Sequence, residues 1–274
     1  MTHQASNAPA GQSFGRVLRQ WRTQRGWSQL ELACQSNVSQ RHISFLESGR
    51  SRPSRDMVLH LGAILTVPLR QQNVMLTAAG FAPLYSEHDL SAPELAPIQQ
   101  ALDFMLHQQE PYPALVLDRY WTLLQANSAA NRLLAWLLGD RLTQQSMPIN
   151  VLDVMISPQG LRPYLENWDE ISPWLSHRLK ARVDNIPGDQ RHARSPAGAN
   201  DLGANPISAV GSTVNGELPV LPVVFAKDGD RLSFFTLIST LGTPQDITLQ
   251  ELRVESLFPT DAETAQWMHR LREE

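Results

Sequence analysis

Apolar residues at Phe14, Val17, Leu18 and Trp21 recur every three or four positions in a polar stretch, the spacing of a helix that buries one stripe. This predicts a first helix from Gln12 to Arg25 with its arginines on a basic outer face. Gly26 suits the C-terminal cap, and Ser28 opens a second helix with Glu31 completing a capping box. Leu30, Leu32 and Ala33 supply its packing positions, and Cys34 on the same helix reads as a small buried residue. Asn37 tolerates the left-handed backbone of a tight turn, with Val38 as the apolar plug behind it. Ser39 then caps a third helix to about Ser48, in which Ile43 and Leu46 point inward and Gln40, Arg41, His42 and Ser44 lie towards solvent. Ser54 caps a fourth helix through about Leu65, and Pro68 starts a fifth that ends near Ala79. Five short helices around one small core make a domain over residues 12–83, behind a polar tail at 1–11 expected to be disordered.

The pattern breaks at residues 84–96, a polar and acidic stretch interrupted by Pro93 that reads as a linker, with the boundary near residue 88. Beyond it, residues 97–274 mix the two periods. A helix over Pro97–His107 presents Ile98, Leu102, Met105 and Leu106. Ala114–Leu117 is short and β-rich, a buried strand, and Trp121–Gln125 is its partner across a turn at Arg119-Tyr120. Helices are predicted over Asn127–Leu138, Val151–Ile156 and Trp168–Val183, with a short piece at Gly160–Leu165. Residues 184–216, rich in Gly, Pro, Ser, Ala and Asn, hold no steady period and read as a mobile lid or partly disordered segment. Three strands follow, at Pro219–Lys227, Arg231–Leu241 and Ile247–Phe258, and Asp261 caps a terminal helix. The fold class is therefore multidomain, an all-α five-helix domain followed by an α/β domain with an antiparallel sheet.

Charge sharpens the division. From Met1 to Pro83 nine arginines face three acids, a balance of +6 in a chain of formal charge -4, which leaves -10 for the remainder. A basic module for a polyanion is thus joined to an acidic one. A single cysteine excludes an intrachain disulfide and fits a reducing cytoplasm. No apolar run approaches the about 20 residues that cross a bilayer, so no membrane partner is expected. The sequence has no Gly-rich phosphate loop, no HExxH and no G-x-S-x-G, and His107, His177 and His192 are scattered, so neither enzyme activity nor a metal site is expected.

The run FGRVLRQWRTQRGWSQLELACQSNVSQRHISFLESGRSRPSRDMVLHLGAIL resembles the lambda-repressor-like helix-turn-helix of the XRE family. The resemblance covers Phe14–Ala79, including the Ser-Gln opening of helix two and the Ile-Ser-x-Leu-Glu-x-Gly-x-Arg-x-Pro run. It implies that Gln29 clamps a phosphate and that Gln40, Arg41, His42 and Ser44, behind the capping Ser39, reach base edges in the major groove. Arg41 suits a bidentate contact to guanine and Gln40 one to adenine, while Arg50 and Arg52 suit phosphates. Arg16, Arg19 and Arg55 serve equally well as solvated charges.

EPYPALVLDRYWTLLQAN, SPQGLRPYLENWDE and LISTLGTPQDITLQELRVESLFPTD resemble the ligand-binding domain of MmyB-like transcription regulators over roughly Ile98–Leu271. That resemblance implies a PAS-like sensory domain and a small apolar or amphipathic effector, fatty-acid-like in at least one relative, as the only bound group. Between a concave sheet and helices, Trp121, Leu152, Tyr164, Trp168, Phe234 and Phe258 are candidate lining residues, with Asn127 and Asn167 as polar anchors. Each aromatic is also an ordinary core candidate, and Asn167 also suits an N-cap. Two readings follow. One is a ligand-responsive, homodimeric regulator on a double-stranded DNA operator. The other is a constitutive DNA-binding protein whose second domain only dimerises or recruits a protein.

Overall fold

A computed structural model describes residues 13–139, 141, 148–184 and 220–273. The expected tail, residues 185–216 and His192 lie outside them. The contacts divide the chain into two compact units: residues up to Asp89 together with Gly242–Gln250, and Leu90–Leu241 together with the chain from Glu251 onwards.

In the first unit five helices follow their sequence signals: α1 (Phe14–Gln24), α2 (Gln29–Ser36), α3 (Gln40–Glu47), α4 (Arg55–Ile64) and α5 (Leu69–Ala78). The Ser28 hydroxyl accepts from the Glu31 N–H at 3.1 Å and the Glu31 carboxylate accepts from the Ser28 N–H at 2.5 Å. These hydrogen bonds hold the Glu31 carboxyl below its ordinary range. Asn37 takes the left-handed conformation at φ 54° and lets α2 turn into α3. Ser39 and Ser54 cap α3 and α4 through the N–H groups of His42 and Met57. Leu18, Leu32, Ile43, Leu46, Leu61, Leu65, Met75 and Leu76 form the core, each buried leucine contributing about 1.5–3 kcal/mol. At Gly15, α1 meets α3 so closely that a Cβ would lie 2.4 Å from the Leu46 carbonyl oxygen, so only glycine fits.

Three expectations are corrected in this unit. Arg22 leaves the outer face of α1 and is buried, because Glu47 supplies a carboxylate for it. Cys34 is exposed, since the helical stripe of α2 runs through Leu32, Ala33 and Ser36 instead. Leu30, expected at a packing position of α2, is exposed. Gly242–Gln250 also belongs to this compact unit. There Gln250 accepts from the Leu69 N–H at 2.7 Å, and Asp246 meets the His88 ring at 2.9 Å.

The second unit opens with α6 (Ala96–Gln108). Its sheet comprises β1 (Ala114–Leu117), β2 (Leu123–Ala126), β3 (Val223–Lys227), β4 (Asp230–Ser239) and β5 (Arg253–Pro259), in the order β2-β1-β5-β4-β3 with every neighbouring pair antiparallel. One face packs on α6 through Ala114, Val116, Leu252 and Val254 against Leu102 and Leu106. The side chains between them, Leu115, Glu255 and Leu257, face the other way, as the two-residue period of a strand demands. On that side lie α7 (Ser128–Leu138), α8 (Val151–Ile156), α9 (Trp168–Asp184) and the terminal helix α11 (Ala262–Glu273). Asp261 caps α11 by accepting from the Thr264 N–H at 2.7 Å.

The sequence reading misses three details here. Met105 is exposed on α6, because the contact stripe narrows to Leu102 and Leu106. Trp121 belongs to the turn and not to β2: at φ 68° it cannot extend a strand, and Asp118 holds the turn by accepting from the N–H groups of Tyr120 and Thr122. The predicted strand over Ile247–Phe258 is two elements, a short helix α10 (Ile247–Glu251) started by Asp246 and the strand β5.

Candidate functional site

The polar surface of α3 follows from its two buried positions. Ile43 and Leu46 fix the inward face, which leaves Gln40 and Arg41 exposed and His42 and Ser44 partly covered. Phe45, partly exposed on the same helix, gathers two cations: the guanidinium of Arg41 lies 5.3 Å from its ring centroid and that of Arg50 lies 5.9 Å away. Sequence reasoning passes over Phe45; its signal is an aromatic one helical turn beyond Arg41. Arg50 and Ser51 donate their backbone N–H groups to the Phe45 carbonyl, so the basic loop leaves α3 with its backbone satisfied, and Arg52 stands exposed beyond it. Ser39 spends its hydroxyl on the cap of α3.

Beneath this surface lies a buried polar knot. The Glu47 carboxylate accepts from Arg22 Nε at 2.6 Å, from Arg22 Nη2 at 3.1 Å and from the Gln29 amide at 2.8 Å. It ties α1, α2 and the end of α3 together. Gln29 is therefore engaged by Glu47 through one of its amide hydrogens.

Inside the second unit a cavity of about 100 Å³ lies between the sheet and helices α7 to α9. Its walls are hydrocarbon, including Leu115, Leu133, Leu137, Met155, Trp174 and Phe225, and among the described lining residues only Thr236 and Glu255 are of polar type. Burial pushes the Glu255 carboxyl up from its ordinary value, against the pull of Arg178, a hydrogen bond from Thr236 and Arg253. Arg178 is pushed down to about 10 by burial, against Glu255 and together with Arg253. Its guanidinium sits over the rings of Trp174 and Trp121 at 3.9 and 4.2 Å.

None of the eight residues expected to contact a ligand lines this cavity. Leu152 and Phe234 are buried core. Asn127 is a clamp: it caps α7 through the Ala130 N–H at 2.9 Å and holds the Ala114 N–H at 3.0 Å. Asn167 pins the start of β3 by accepting from the Val224 N–H at 3.1 Å and donating to the Pro222 carbonyl at 2.9 Å. Trp168 lies under Arg162, Tyr164 beside Lys227, and Phe258 stacks on Phe235. Trp121 is buried beneath Arg178 and Arg253. These aromatics pack outside the cavity, whose walls come mainly from aliphatic residues on α7 and α8 together with Trp174 and Phe225.

A family model of the MmyB-like transcription regulator ligand binding domain matches residues 98–271, and a helix-turn-helix model matches residues 18–71. The chain belongs to the MmyB-like transcription regulators. No match is found among curated proteins. The MmyB-like regulator thus joins an XRE-type DNA-binding domain to a ligand-binding domain, and the resemblances at both ends of the sequence hold. The two matches are those of a helix-turn-helix DNA-binding regulator and of a ligand-binding domain. Among the described residues no helix is long and apolar enough to cross a membrane, and no group of His, Cys, Asp and Glu is placed to hold a metal ion.

Proposed function

We propose that this MmyB-like regulator is a cytoplasmic homodimer that reads a two-half-site DNA operator and changes its affinity when a small apolar or amphipathic effector occupies the cavity. The observation that carries the DNA half is the head of α3, where Gln40 and Arg41 are exposed and Arg50 shares the Phe45 ring. Gln40, Arg41, His42 and Ser44 read base edges, while Arg50, Arg52 and the capped end at Ser39 meet phosphates. Gln29 gives its second amide hydrogen to a phosphate while Glu47 holds the first.

The apolar walls support an effector of the chain-bearing, fatty-acid-like kind that the family resemblance implies. Arg41→Ala should cost about 1–3 kcal/mol of operator affinity and relax the preference for guanine, with nonspecific binding retained. Fluorescence anisotropy with operator and scrambled DNA measures this, and equal losses on both would remove Arg41 from base reading.

The route between the sites is covalent. Thr236 on β4 and Glu255 and Leu257 on β5 line the cavity, and the chain joining these strands, Gly242–Gln250, is fastened within the DNA-binding unit. Asp246 shares the fastening with Gln250 on the Leu69 N–H and Thr248 on the His88 carbonyl: it accepts from the His88 backbone N–H and meets its ring, besides starting α10. Asp246→Ala should leave effector affinity intact and abolish its effect on operator binding, a coupling of about 5- to 150-fold in the intact protein. Operator affinity indifferent to a saturating effector in the unmodified protein would support the constitutive reading.

A further inference from the structure

From the outer face of α3 we infer that Phe45 is a specificity-determining residue: its ring packs on the 5-methyl group of a thymine in each operator half-site. The inference rests on α3 being the element that reads DNA, and it names one chemical group that α3 reads.

The helix sets the position of the ring. Ile43 and Leu46 turn inward, and the core of the unit closes around them. Phe45 lies one turn beyond Arg41, on the opposite side of α3 from Ile43, and it is partly exposed between the exposed residues Arg41 and Ser48. An aromatic ring thus stands on the face whose other members are polar or charged.

Its neighbours say what that face meets. The guanidinium groups of Arg41 and Arg50 lie 5.3 and 5.9 Å from the ring centroid, each attracted by the aromatic face. Phosphates and base-edge acceptors draw both cations towards a duplex, and the ring they share is carried into the same groove. Among the groups that base pairs present in the major groove, the thymine methyl is hydrocarbon and the others are hydrogen-bond donors or acceptors. A phenyl ring neither donates nor accepts, so its favourable partner there is thymine. Register follows from the rise of the helix. Four residues separate Arg41 from Phe45, roughly 6 Å along the axis, or about one to two base steps. The thymine therefore lies within two base pairs of the guanine that Arg41 reads. A ring that only held the two guanidinium groups in place would weaken binding to every operator alike when removed. Contact with the methyl group makes the loss depend on that methyl.

The test uses the full-length protein and unmethylated DNA, in which thymine alone carries a methyl group. Operators are selected from a random duplex library, Arg41→Ala locates the guanine, and each thymine beside it is replaced by deoxyuridine, which lacks only the methyl. For the unmodified protein one such replacement should weaken binding about fourfold per half-site, the effect of withdrawing one buried methyl group. Phe45→Ala should bind the thymine and deoxyuridine operators equally, which places the coupling between ring and methyl. The unmodified protein alone decides if the variant fails to fold. Absence of thymine within two base pairs of that guanine, deoxyuridine bound as tightly as thymine, or discrimination that survives in Phe45→Ala would overturn the inference and leave α3 as the reading element. Selection of no preferred sequence would overturn the reading of α3 itself.

Discussion

Replacing Glu47 with alanine should destabilise the helix-turn-helix unit by about 3–5 kcal/mol, more than any single change at the DNA-facing surface. The reason is what remains behind. The Arg22 and Glu47 side chains are 9% and 5% exposed, so the variant leaves a guanidinium with no counter-ion in a space closed to water. The Trp27 carbonyl, which also accepts from Arg22, cannot replace a charge. Gln29 loses its acceptor at the same time, and the three helices lose the polar contact they share. A small domain commonly holds about 5–15 kcal/mol in total, so the loss brings this one close to unfolding and abolishes operator binding with it. Urea unfolding should show it as a lower midpoint at unchanged slope. Arg22→Ala should match it, and the double variant should be no worse than either single one, because the pair disappears together. A loss below about 1 kcal/mol would mean that the pair behaves as a surface ion pair.

That prediction is out of reach from sequence, and the reason is general to this chain. Local chemistry is legible: Ser28, Asn37, Ser39 and Ser54 act within three or four residues of themselves, and each occupies the cap or turn its type requires. So are the strands of the second unit whose apolar runs are bounded by turns, Ala114–Leu117 being the clearest. What fails depends on partners far along the chain. Arg22 reads as solvated because Glu47 lies twenty-five positions away. Ile247–Glu251 reads as part of a strand because its apolar residues carry β propensity, yet Asp246 offers a side-chain acceptor to the N–H groups of Thr248 and Leu249 and starts a helix.

The cavity escapes sequence reasoning for a related reason. Aromatic residues suggest themselves as its walls, but Trp168, Tyr164 and Trp121 each carry a cation on the ring face, and Leu152 and Phe234 fill space completely. A void remains where side chains are too short to meet, along Leu133, Leu137 and Val154, and no single-position signal reveals a shortfall of volume. Glu255 is the exception, an acid at an inward position of a central strand, and a carboxylate in that register asks for a partner on the strength of the strand period alone.

Raising the salt concentration from 50 to 200 mM should weaken operator binding by about a thousandfold, on the proposal that a homodimer neutralises about six phosphates. The structure narrows which arginines carry this. Of the nine before Pro83, Arg22 is spent on Glu47, Arg70 pairs with Glu87, and Arg25 donates to the carbonyls of Leu65 and Thr66. Arg16, Arg19, Arg41, Arg50, Arg52 and Arg55 remain exposed. Arg50 and Arg52 stand beside the recognition helix, so removing either from both protomers should reduce the slope of log affinity against log salt by about 2, with sequence preference unchanged. Arg41→Ala should behave in the opposite way, with sequence preference falling more than the slope, because a guanidinium on a base edge specifies while one on a phosphate only positions. Arg16→Ala on α1 discriminates further: an unchanged slope would restrict the contact surface to α3 and the loop after it. A slope that stays near zero for the unmodified protein would sink the electrostatic account of the whole basic unit, whatever its fold.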